Sequence, residues 1–158
     1  MTQYIDEKEI DRLAERFIDK TLPKEEWTHE AHLTVAAWHL KQYDFYEALC
    51  FMRSGIISYN LSVGGTNTSS KGYHETMTVF WMKLIDSFIR LNKERSLLDT
   101  CNKFLSSGLA KRDAPFHFYQ RETILSTEAR SLYIEPDKIS VNERTVSHSL
   151  ESKIFSSL

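Results

Sequence analysis

The chain has 158 residues, 41% hydrophobic and 12% aromatic, which is enough apolar material for one domain with a sizeable core. Its formal net charge of -2 at pH 7 lacks the basic footprint that nucleic acid or an anionic membrane surface would require, and no apolar run approaches the ~20 residues of a membrane span. Cys50 and Cys101 fall on or beside apolar helical stripes, where thiols behave as small buried hydrophobes, and the acidic start "MTQYIDEKEIDRL" lacks the regions of a signal peptide, so the expectation is a cytoplasmic protein without a disulfide scaffold.

Hydrophobic spacing predicts helices nearly throughout. Ile10, Leu13, Phe17 and Thr21 recur at three- and four-residue steps, giving a first helix over residues 6–22 that Pro23 closes. A second follows Thr28, a good N-cap, and carries Val35, Ala36, Trp38 and Leu40 towards Tyr43. The third begins at Asp44 and presents Phe45, Leu49, Met52, Ile56 and Tyr59, with Gly55 a tolerated weakness in its middle. The fourth, residues 72–91, is the most apolar and is expected at the centre. Asn92 is read as the cap of a fifth helix holding Leu97, Leu98, Cys101, Phe104 and Leu105, which Gly108 ends. Pro115 then opens a shorter helix in "PFHFYQRETIL", and Ser126 caps another turn or two before Pro136.

The serine-rich tail, residues 141–158, has only Val146, Leu150 and Ile154 at four-residue steps and is expected to be loose or a short docking helix. No run with two-residue alternation competes. The fold class is all-α, a single-domain helical bundle of about five main helices over residues 1–140 plus short C-terminal helices. Exposed aromatic positions such as Tyr43 and Tyr46 permit a homodimer.

Short connections make successive helices antiparallel, so helices two and four should start at the same end of the domain. The first turn of helix two, "THEAH", holds His29 and His32; that of helix four, "GYHET", holds His74 and Glu75. Two imidazoles one turn apart, a third from a facing helix and a carboxylate would complete a shell for a divalent metal such as zinc, iron or manganese. His29, His32 and His74 are the expected ligands, with Glu75 as fourth ligand or general base. "HEAH" is one residue shorter than the H-E-x-x-H of zinc proteases, so Glu30 does not inherit a base role from that motif.

A metal-free reading of the same residues is also open. The preceding loop "GGTNTSSK" offers Asn67, Thr68 and Lys71 beside a helix N-terminus, a place suited to a small molecule or anionic ligand, although its spacing is no Walker A match. Thr28, Tyr73 and Arg121 join them as candidate ligand-binding residues. The positive helix ends are expected to keep His29 and His74 neutral near pH 7. The plainer alternatives are that Trp27, Thr28 and His32 form a cap and staple, that Glu75 serves its own helix end, that His39 is a core histidine, and that Phe116 and Tyr119 only pack.

Three segments, "WTHEAHLTVAAWHL", "GYHETMTVFWMKLI" and "FYQRETILSTEARSLYIEPD", resemble a family of small bacterial proteins of uncharacterised function in which T-H-x-x-H-L is followed by Y-H-E-T-[IM]-T and an A-R…P-D segment. The likeness spans residues 27–137, and the motif positions here are Thr28, His29, His32, Tyr73, His74, Glu75 and Thr76. It implies a shared helical fold and a shared polar site, without a substrate. The reading is therefore a helical protein with a His/Glu site at the starts of helices two and four, serving a metal-dependent enzyme or a small-ligand binder; a non-catalytic interaction module with structural histidines is the alternative.

Overall fold

The computed structural model of the chain describes residues 3–93 and 95–151. Among them are nine α-helices and no strand: α1 (Glu7–Ile18), α2 (His29–Gln42), α3 (Phe45–Ser62), α4 (Glu75–Leu91), α5 (Leu97–Ser106), the short α6 (Pro115–Phe118), α7 (Arg121–Ile124) and α8 (Thr127–Ser131), and α9 (Glu143–Glu151). The all-α bundle with short C-terminal helices is as the spacing predicts. Its long helices start where a polar side chain takes up a free backbone N–H. Asp6 accepts from Glu9, Thr28 from Ala31, Asp44 from Tyr46 and Glu47, and Ser96 from Asp99.

Packing centres on two helices. The central place expected of α4 is shared with α2: α2 lies against α1, α3, α4 and α5, while α4 also meets α3, α8 and α9. Surrounded in this way, α2 buries Ala31, Leu33, Val35, Ala36, Ala37 and Leu40, and its small alanines let neighbouring helices approach. His39 is a core histidine at 3% exposure, its Nδ1–H donated to the Val35 carbonyl at 2.8 Å.

Several element ends differ from the spacing-based reading, each for a local reason. Lys20 takes a positive φ of 65°, and the N–H groups of Thr21 and Leu22 both turn back to the Arg16 carbonyl, so α1 stops at Ile18 and Leu22 enters the core. Asn92 closes α4, donating Nδ2–H to the Phe88 carbonyl, and it is Ser96 that opens α5. Gly108 starts a 3-10 turn, Gly108–Ala110, beyond the end of α5. The single helix expected after Pro115 is two, because Tyr119 and Gln120 are extended. Cys101 is buried and its thiol is pushed up to about 12 by desolvation, but Cys50 is exposed on α3, contrary to the buried placement its spacing implied.

In the tail, α9 packs against α4 and buries Val146 completely. Ile154, the last apolar position of that segment, lies outside the described residues. Tyr43 and Tyr46 are exposed. No helix of the described residues is long and apolar enough to cross a membrane.

Candidate functional site

The loop before α4 is built by its own polar groups. Gly72 has φ 77°, and a Cβ there would stand 2.0 Å from the Thr66 carbonyl oxygen, so only glycine fits. Asn67 accepts at Oδ1 from Asn60 Nδ2 and from the Tyr73 N–H, and donates Nδ2–H to the Ile57 carbonyl. Thr68 Oγ1 accepts from the N–H groups of Ser70 and Lys71. Both side chains expected to meet a ligand are thus engaged in shaping the turn.

The "YHET" motif is engaged in the same manner. His74 is the N-cap of α4: its Nδ1 accepts from the Met77 N–H at 3.3 Å, which leaves the proton on Nε2 to be donated to the Ile124 carbonyl at 3.0 Å. The Glu75 carboxylate is held bidentately by the Arg53 guanidinium and accepts from the Tyr73 hydroxyl at 2.6 Å. Burial works to raise its pKa, but the hydrogen bonds and charge of its partners outweigh this and hold it below the ordinary carboxylate range. Burial and the adjacent carboxylate push the Tyr73 phenol well up. Thr76, fully buried, donates Oγ1–H to the Leu132 carbonyl and accepts from the Ile134 N–H.

At the start of α2 the staple is present: the Trp27 ring lies on His32 with centroids 3.7 Å apart, and on its other side stacks against Phe17 at 4.4 Å. His32 donates Nδ1–H to the Thr28 carbonyl at 2.7 Å, so the neutral ring carries its lone pair on Nε2. His29 donates Nε2–H to the Ala110 carbonyl at 2.8 Å and lies edge-on to Trp81 at 5.1 Å.

Trp27, Thr28, His29, His32, Tyr73 and His74 border a cavity of about 460 Å³ between the starts of α2 and α4 and the side of α3. Its walls are largely apolar, with Trp27, Tyr73, Trp81 and the thioethers of Met52, Met77 and Met82; its polar groups come from Thr28, His29, His32, Asn60, His74, Thr78 and Arg112. Desolvation is the main cause that pushes His32 down to about 4, against the hydrogen bond to Thr28 and with smaller contributions from His29 and Arg112. His29 and His74 are lowered by the same cause. Burial is the largest cause that lowers all three rings.

The antiparallel pairing therefore does bring His29, His32 and His74 to one cavity. Both nitrogens of His74 are taken, Glu75 is spent on Arg53 and Tyr73, and among the described residues no three or more His, Cys, Asp or Glu are grouped so as to hold a metal. Glu75, held by Arg53 and Tyr73, does not line the cavity. Compared with known families, curated proteins and solved structures, the chain matches none.

Thr28 and Tyr73 line the cavity, whereas Lys71 borders a smaller neighbour of about 400 Å³. Arg121 lines neither: its guanidinium covers the Phe116 ring at 4.3 Å. His117 and Phe118 line a separate cavity against α9. Sequence reasoning passed over Trp81, Met77 and Asn60 because helical spacing marks such positions as core or solvent. Arg112 sits in a loop where no periodicity exists to single it out.

Proposed function

We propose that the protein binds a small organic molecule in this cavity, one with an apolar ring system and an O–H or N–H group that donates to His32 Nε2. The observation that carries this reading is the neutral imidazole set among aromatic and thioether walls. Few, well-placed polar groups in an apolar cleft are what fixes the orientation of a small ligand. Methionines adapt to irregular shapes and aromatic rings offer large rigid contact faces.

Recognition fits His32 better than proton transfer does. An efficient general base titrates near the working pH, and a ring pushed down to about 4 is poorly matched to neutral conditions. A ring that stays uncharged is, by contrast, a dependable hydrogen-bond acceptor.

N-phenyl-1-naphthylamine is a suitable probe, being neutral, fused-ring, equipped with one N–H, and brighter in apolar surroundings. Saturable one-to-one binding is expected, weakened roughly tenfold in His32→Phe and lost in Met77→Trp, which fills the cavity. Absence of saturable binding, or binding unchanged in a Met77→Trp variant that still melts cooperatively, would overturn the reading.

A further inference from the structure

No carboxylate lines the cavity. Glu75 is turned to Arg53, and Glu30, in the first turn of α2, is not part of the lining. One cation is: Arg112, exposed, two residues beyond the Ala110 carbonyl that fixes His29. Its charge adds to the lowering of both His29 and His32, while Glu30 acts on His29 in the opposite direction. The smaller cavity shares Trp27, Asn60 and Gly72 with the first and adds Lys24 and Lys71, again with no acid. Three cations and no carboxylate therefore line these two adjoining cavities, in a chain whose formal net charge is -2. The positive sign is local and not a general surplus. A cleft lined by one sign of charge between low-dielectric walls concentrates ligands of the other sign.

We infer that the ligand is an apolar organic acid bound as its anion, its ring system in the cavity and its acidic group paired with Arg112 at the mouth. This rests on the ligand-binding reading given above. A guanidinium matches a carboxylate or sulfonate through two parallel N–H donors, so it fixes orientation as well as charge. Lys24 and Lys71 line only the smaller cavity and supply field without that geometry.

The test compares two dyes with one frame. 4-Anilinonaphthalene-1-sulfonate is N-phenyl-1-naphthylamine with a sulfonate placed across the ring from the nitrogen, so the N–H stays free and the pair isolates the charge. The expected result is that the sulfonate binds at least roughly tenfold tighter than the neutral dye at low salt, that Arg112→Gln removes this advantage while the neutral dye still binds saturably, and that added salt reduces it. Equal affinity for the two dyes, or an advantage that survives Arg112→Gln and is lost only in the Lys24→Gln/Lys71→Gln double variant, overturns the assignment to Arg112 while the neutral dye still reports a working cavity. Failure of both dyes would instead sink the ligand-binding reading itself.

Discussion

His32 couples the chemistry of the cavity to the stability of the fold, because its ring lies on Trp27 and its Nδ1–H is tied to Thr28. In the unfolded chain an imidazole titrates near 6.5; in the fold this one is pushed down to about 4. As pH falls below 6.5 the unfolded chain takes up a proton that the native ring refuses, so stability is lost down to about 4 and stays lowered beneath it. His29, His39 and His74 act in the same direction. Glu75 acts lower: its stabilisation is present above 4.5, its ordinary value, and is lost as pH falls through the depressed native one. His32→Phe keeps an aromatic ring on Trp27 but cannot titrate, so its melting temperature should fall less steeply than wild type between 6.5 and 4.5, the full effect being at most ~3 kcal/mol. Parallel slopes for the two proteins in thermal melts would show that His32 is not the titrating group. That three histidines share a cavity was legible from helix pairing. Which of their nitrogens remain open was not, because the Ala110 and Ile124 carbonyls that claim them lie 81 and 50 residues away in the chain.

Where helices meet, the same limit holds for Gly55. Spacing alone makes it a weak point in α3, and Gly→Ala in a helix interior ordinarily gains ~1 kcal/mol. In the fold, an added Cβ would stand 2.8 Å from two carbons of the Phe17 ring. That ring cannot retreat, being 1% exposed, stacked on Trp27 and packed against Tyr59. Gly55→Ala should therefore destabilise, by roughly 1–3 kcal/mol, read as a lower urea midpoint. A raised midpoint would mean that the α1–α3 contact is looser than described. Because Trp27 in turn stacks on His32, this crossing of α1 and α3 also supports one wall of the cavity. Periodicity finds α1 to α5 because each must bury apolar residues at helical steps; where each begins and ends depends on caps and on one positive φ at Lys20, and those are single-residue events that spacing averages over.

At the scale of the molecule, the segment after α5 is strapped onto α4 by the residues that sequence alone marks as chemical. Arg130 donates to the carbonyls of Gly72 and Tyr73, His74 to that of Ile124, and Thr76 bridges Leu132 and Ile134. A polar side chain at a helix start looks the same in sequence whether it serves a ligand or a distant backbone, so this motif could not be sorted without coordinates. Thr76→Val separates the two roles. The shape is kept while the Leu132 carbonyl and the Ile134 N–H both lose their partner in a place where Thr76 itself is fully buried. Two unsatisfied backbone groups should cost roughly 2–4 kcal/mol, less if water reaches them. If the motif is a strap, Thr76→Val lowers the urea midpoint with the slope unchanged, and the folded variant still binds N-phenyl-1-naphthylamine as wild type does, since Thr76 does not line the cavity. Unaltered stability together with lost dye binding would instead return Thr76 to the site and remove the structural account of the motif.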